Sequence, residues 1–224
     1  MSFIMNKKVF LFLLVLPSFA KAQVNDAGLW TSINLDKKIN KQFTINFTEE
    51  LRFNENISEL GNYFSEFSLE YKFNKMISAS VGYRFIQKRN LDGYYSKRHR
   101  FISEIAFKKK LRNLAVNLKL KYQSQYSNYY SSETGKIPDQ YLRTKLQLKY
   151  DLNKRYTPSI SGESFYFLNS KEGVLFNNYR LTIGFNYEFS KKSSLDLAYL
   201  INKEIQVNDP WTSYITSIGW NYSF

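Results

Sequence analysis

Residues 43–53 read FTINFTEELRF, and their alternation decides the fold. Phe43, Ile45, Phe47, Leu51 and Phe53 fall on one side of an extended chain. Thr44, Asn46, Thr48, Glu50 and Arg52 fall on the other, and Glu49 alone breaches the apolar side. Successive side chains of a strand point to opposite faces, so a period of two predicts a strand with one apolar and one polar face. The same pattern recurs at 63–73, 77–88, 98–108, 113–126, 140–150, 156–168, 178–189, 194–205 and 212–224. It is weakest at 156–168, where Pro158 and the run Phe165-Tyr166-Phe167 blur it. A shorter segment, 29–35, places Leu29, Thr31, Ile33 and Leu35 beside Trp30. No helix is expected after the first 22 residues.

Strand length and connection length choose the architecture. Strands in soluble proteins usually have roughly 5–6 residues, whereas a tilted strand crossing a bilayer needs roughly 9–11. Most of these segments reach the second figure. Short connections at 36–41, 74–76, 109–113, 151–155 and 190–193, rich in Lys and Asn, alternate with longer ones at 54–62, 89–97, 127–139, 169–177 and 206–211. Short turns at one rim and longer loops at the other are the layout of a transmembrane barrel. Aromatics cluster near strand ends, as in Tyr71, Phe73, Tyr187 and Phe189, while aliphatics such as Leu69, Leu146 and Ile183 fall mid-strand. The expected fold is all-β: an antiparallel up-and-down transmembrane β-barrel of about 10–12 strands. A soluble sandwich or lipocalin-like barrel is the competing arrangement, with the apolar face turned inward.

Counting leaves a parity question. The ten segments from 43 onward form an even set with both ends at the short-turn rim. Segment 29–35 would be an eleventh, starting at the far rim. Either it lies partly inside or beneath the barrel, or an irregular segment hides a twelfth strand. The favoured arrangement is ten strands plus an N-terminal segment, giving 1–22 as a cleaved leader, 23–41 as that segment and 42–224 as the main barrel.

The leader is read from Lys7 and Lys8, the apolar run VFLFLLVLPSF at 9–19, and the small-x-small site Ala20-Lys21-Ala22. Its removal takes three lysines and lowers the formal charge from +13 to +10. For an exported chain, a basic excess points to lipid headgroups, lipopolysaccharide or small anionic solutes rather than nucleic acid. The mixed run YYSKRHRF at 94–101 therefore reads as a barrel rim and not as a nucleic-acid patch. With no cysteine and one histidine in the chain, neither thiolate chemistry nor a histidine-rich metal site is available. No cofactor or metal ligand set is expected. Asn90-Leu91-Asp92-Gly93 reads as turn chemistry.

The opening DAGLWTSINLDKKINKQFTINFTEELRF, GYRF at 82–85, SGESFY at 161–166 and the closing WNYSF resemble the barrel proteins catalogued as domain of unknown function 2490, found in Bacteroidota-type bacteria. The resemblance covers nearly all of the chain beyond the leader. It implies an outer-membrane β-barrel and no particular activity.

In such a barrel the polar faces line the lumen. Glu50, Arg52, Glu66, Glu70, Arg84, Arg98, Arg100, Glu104, Lys119, Lys121, Arg143, Lys145, Glu163, Arg180 and Glu188 are then the lumen-lining charges. Unpaired charge away from bulk water is costly, so a salt-bridge network stiffening the barrel is the expected arrangement. A selectivity lining is the sharper alternative: Arg98, Arg100, Lys119, Lys121, Arg143 and Lys145 form a basic wall opposite an acidic one. The function expected is a non-enzymatic narrow channel or structural barrel. The alternative is a lipid- or lipopolysaccharide-acting enzyme using His99, which faces lipid near the long-loop rim with Ser103 four residues on. No catalytic set is assigned. At 212–224, Tyr214, Thr216, Ile218, Trp220, Tyr222 and Phe224 share the apolar face. Trp220, Tyr222 and Phe224 resemble the terminal signal that barrel-insertion machinery reads during assembly.

Overall fold

In the computed structural model, residues 25–127, 138–153, 155–170, 173–206 and 210–224 are described. The expected leader lies outside them. Eleven strands follow in chain order: β1 (Asn25–Lys38), β2 (Phe43–Asn54), β3 (Glu59–Lys72), β4 (Ile77–Arg89), β5 (Tyr95–Leu111) and β6 (Leu114–Tyr126). The rest are β7 (Asp139–Tyr150), β8 (Tyr156–Ser170), β9 (Gly173–Glu188), β10 (Ser193–Glu204) and β11 (Thr212–Ser223). Each pairs antiparallel with its sequence neighbours, and β1 closes the ring against β11.

That closure corrects the expected arrangement of ten strands plus a separate segment. The N-terminal segment is a full wall strand whose register with β11 runs from Asn25–Thr212 to Asp36–Ser223. With an odd number of strands, first and last run in the same direction, so the β1–β11 seam is parallel. Closing it leaves no unpaired edge, the condition for a sheet to sit in lipid. Phe224 extends the seam: its N–H donates to Asp36 O at 2.9 Å.

The two rims differ in chemistry. At the turn rim, Asn40 Oδ1 accepts from the N–H groups of Gln42 and Phe43, both at 2.8 Å. Asn74 does the same for Met76 and Ile77, Asn153 for Arg155 and Tyr156, and Ser190 Oγ for Lys192 and Ser193. A short polar side chain that caps its own turn explains why Asn and Ser open these connections. At the loop rim, two of the expected long loops are mostly strand. The 54–62 loop shrinks to residues 55–58, and 169–177 to 171–172, with Gly173 at φ 93°. Tilted strands keep pairing beyond the apolar band, where polar side chains suit them. The 90–94 connection is the expected tight turn, with Gly93 N–H donating to Asn90 O at 3.0 Å.

The outward faces are apolar and solvent-accessible in isolation: Val81 is 61% exposed and Ile183 67%. Such a surface has no partner in water, and it decides against a soluble barrel. Aromatic rings meet along the turn rim: Phe43 lies 4.9 Å from Tyr71 across β2 and β3, and Tyr71–Phe73, Tyr187–Phe189 and Tyr222–Phe224, each two residues apart, meet edge to face at 4.9, 5.0 and 5.0 Å. The irregular stretch in β8 resolves into a register shift at Phe165/Tyr166 against β9, while Pro158 pairs with Phe185 below it.

Candidate functional site: the charged lumen

Strand phase sends the polar face inward, but the inward face is not uniformly polar. Trp30, Phe64 and Phe165 also point into the lumen, and each carries guanidinium groups. Arg84 lies 3.7 Å and Arg52 5.0 Å from the centroid of Phe64. Arg52 lies 3.8 Å and Arg180 4.9 Å from Trp30. Arg143 lies 4.4 Å and Arg180 5.2 Å from Phe165. The alternation of cation and ring runs from β4 through β3, β2 and β1, across to β9, and on to β8 and β7. Arg143 continues it to Gln123 Oε1 at 3.3 Å. Arg100, directly across from Arg84, donates from Nε to Gln125 Oε1 at 3.0 Å and from Nη2 to the same oxygen. Five arginines thus form a belt near mid-height, with Phe64 only 2% exposed beneath two of them.

Carboxylates hold the belt in place. Glu50 pairs with Arg52 and Glu66 with Arg84, both at 2.5 Å. Glu163 takes Arg143 at 2.7 Å and Arg180 at 3.7 Å. Below the belt, Glu104 takes Lys119 at 2.9 Å and Lys121 at 3.0 Å. Glu70 reaches Lys72 at 3.6 Å. Arg98, Arg100 and Lys145 make no ion pair within 4.0 Å among the described residues. Arg98 Nε and Gln123 Nε2 are buried donors with no hydrogen-bond partner there. Glu188, at the end of β9, is exposed at the turn rim and joins no ion pair among the described residues.

Part of the inward face, from β9 through β10 and β11 to β1 and β2, is polar but largely uncharged. It carries amides and hydroxyls around Asp196: Asn186 and Asn221 donate to its two oxygens at 2.7 and 2.9 Å. Asn221 also accepts from Asn34 at 3.0 Å, and Asn34 accepts from Thr48 at 2.8 Å. Gly219 gives room there to the side chains of Ser32 and Asn34, whose atoms lie 2.8 and 3.6 Å from where a Cβ would stand.

Three cavities follow one another down the lumen. One of about 450 Å³ lies at the loop rim, lined by Asp26, Asn62, Tyr141 and Asn202 and floored by Arg52, Arg100, Arg143 and Arg180. One of about 550 Å³ lies at the turn rim, lined by Glu70, Lys72, Ser80, Lys108 and Asn117. Between them a chamber of about 150 Å³ shares Arg143 and Arg180 with the first and Glu104, Lys119 and Lys121 with the second.

Sequence reasoning found the charges by phase but missed Trp30, Phe64, Phe165, Gln123 and Gln125. The signal for Phe64 was its position two residues before Glu66, and for Trp30 its phase opposite to Leu29 and Thr31. Outside the barrel, Tyr83 hydroxyl and His99 Nδ1 share a hydrogen bond of 2.6 Å. Ser103 lies across from Val81 and Tyr122. Between β11 and β10, Trp220 Nε1 donates to Ser193 Oγ at 2.9 Å. The 127–139 loop lies mostly outside the described residues.

A family model described as "Protein of unknown function (DUF2490)" matches residues 27–213. Among solved structures, one described as "NanC porin structure in rhombohedral crystal form" is similar, with a TM-score of 0.57 and 11% identity, covering 89% of this chain and 98% of that one. A "Bacterial polysaccharide outer membrane secretin" is similar with a TM-score of 0.56 and 11% identity, covering 84% of this chain and 67% of that one. At these identities the likeness is one of fold. No curated protein is significantly similar in sequence.

Proposed function

The chain belongs to the DUF2490 family, and from that premise we propose a narrow, non-enzymatic channel of the outer membrane that favours small anions. The leader at 1–22 is cleaved on export, and the barrel sits among lipid and lipopolysaccharide. The single observation that carries the reading is the arginine belt with cavities on both sides. Five belt arginines against Glu50, Glu66 and Glu163 leave a formal excess of positive charge at the narrow point. In a confined, poorly hydrated passage such a field raises the local concentration of anions and repels cations.

Geometry also sets the size limit. Eleven strands enclose a lumen that side chains can nearly fill, so sugars and peptides are too large to pass freely. The test is a planar bilayer holding the purified barrel between unequal KCl solutions. The expected reversal potential lies toward the chloride equilibrium potential and moves toward zero in Arg100→Gln and Arg180→Gln. A cation-selective current would overturn the reading. Absence of any current would leave the belt as reinforcement of a structural barrel.

A further inference from the structure

We propose that the central chamber is a binding site for one small, doubly charged oxyanion of the phosphate or sulfate class. The inference deepens the anion-channel reading and rests on it for its place in a transport path. The geometry that carries it is local to β5–β9.

Neighbouring strands normally set opposite charges across from one another, because like charges directly opposite are destabilising. Here Lys119 on β6 faces Lys145 on β7, and Lys121 faces Arg143 one pair along. Both like-charge pairs turn into the same chamber of about 150 Å³. The carboxylates present do not separate them. Glu104 lies on the β5 side, occupied by Lys119 and Lys121. Glu163 lies on the β8 side, occupied by Arg143 and Arg180. Each carboxylate thus gathers two cations at one flank, and Lys145, although Glu163 is its cross-strand neighbour on β8, makes no ion pair within 4.0 Å among the described residues because Glu163 is taken by Arg143 and Arg180.

The chamber therefore holds five cations and two carboxylates, a formal excess of three positive charges. Uncompensated charge in such confinement is strongly unfavourable, and a mobile counter-anion offsets it. Chloride cancels one charge and offers no directed acceptor. A tetrahedral oxyanion cancels two and presents several oxygens to ammonium and guanidinium donors converging from three strands, the geometry that charge-assisted hydrogen bonds reward. The volume admits one such ion with a few waters and no larger solute.

The experiment uses the refolded full barrel in detergent, with inorganic phosphate as the probe and ³¹P line broadening as the readout. The expected result is saturable binding that sulfate competes away and that acetate or chloride at equal concentration displaces at least about tenfold less well. Removing one charged donor in Lys145→Gln is expected to weaken binding about tenfold, the order of a lost charge-assisted hydrogen bond. Lys119→Gln is the second variant should Lys145→Gln fail to fold, as judged by heat-modifiable migration. Lys110→Gln, at the turn-rim pair with Asp151, is expected to bind as the wild type does. Non-saturable broadening, or equal affinity in wild type and the chamber variants, overturns the site. In a bilayer, phosphate is expected to suppress chloride current with the same midpoint. Saturable binding without current overturns the channel and leaves the site, whereas a chloride current in a barrel that does not bind phosphate overturns the site and leaves the channel.

Discussion

Trp30 on β1 and Arg180 on β9 meet across the lumen, the guanidinium carbon 4.9 Å from the indole centroid. Along the wall, β10 and β11 separate their strands. The contact is therefore a strut through the barrel and not a neighbour contact, and Arg52 lies over the same indole at 3.8 Å.

Replacing the strut should widen the passage at a measurable cost in stability. Each cation–π contact of a partly desolvated guanidinium contributes roughly 0.5–2 kcal/mol. Trp30→Ala is expected to lower unfolding stability in urea by about 1–3 kcal/mol, from the loss of these contacts. Single-channel conductance should rise in the same variant. An unchanged conductance would mean that the narrow point lies elsewhere.

Glu163 is the charge whose loss should hurt most. Its side chain is 8% exposed and holds Arg143 and Arg180 together. Breaking a buried ion pair by removing one partner typically costs roughly 3–5 kcal/mol, because the remaining charge is left uncompensated. Glu163→Gln is therefore expected to destabilise the barrel by about that amount, well above Glu70→Gln, whose partner Lys72 is at 3.6 Å and more exposed. Equal losses in urea unfolding for the two variants would refute the ranking.

Much of this was legible because a strand has a period of two. Arg84, Arg100 and Arg143 had to share the lumen once Tyr83, Phe101 and Leu142 were assigned to lipid. The Asn-led turns were equally local. Parity was not legible, because Asn25-Asp26-Ala27-Gly28 carries no apolar alternation. Its inward members, Asp26 and Gly28, are set by the loop-rim cavity and by the close approach of Ile215. Asp26 is instead used to accept from Asn56 N–H at 2.9 Å, inside a turn where three consecutive residues are left-handed. Nor could sequence place Trp30 against Arg180, since which residues share a level depends on the shear of the closed barrel.

On the outer face, the hydrogen bond between His99 Nδ1 and Tyr83 hydroxyl gives the single histidine a role in an interfacial aromatic cluster, with Phe85 5.5 Å away. His99→Ala is expected to leave the lipid and lipopolysaccharide profile of the producing cells unchanged. A lost acyl-release or acyl-transfer product in that variant would establish a lipid-acting enzyme instead.

Phe224 makes one backbone hydrogen bond to Asp36 and one ring contact with Tyr222. Substitution to Ala keeps the first and removes the second. An edge-to-face aromatic contact contributes roughly 0.5–1.5 kcal/mol, which is small beside the pairing of twelve registered positions along the β1–β11 seam. Phe224→Ala should therefore refold in detergent almost as the wild type does, with heat-modifiable migration intact. If insertion in cells nevertheless falls several-fold, the aromatic is being read by assembly machinery, as its resemblance to that signal suggests. Equal insertion of the two proteins in cells would remove that role and leave Phe224 as one more ring in the turn-rim girdle.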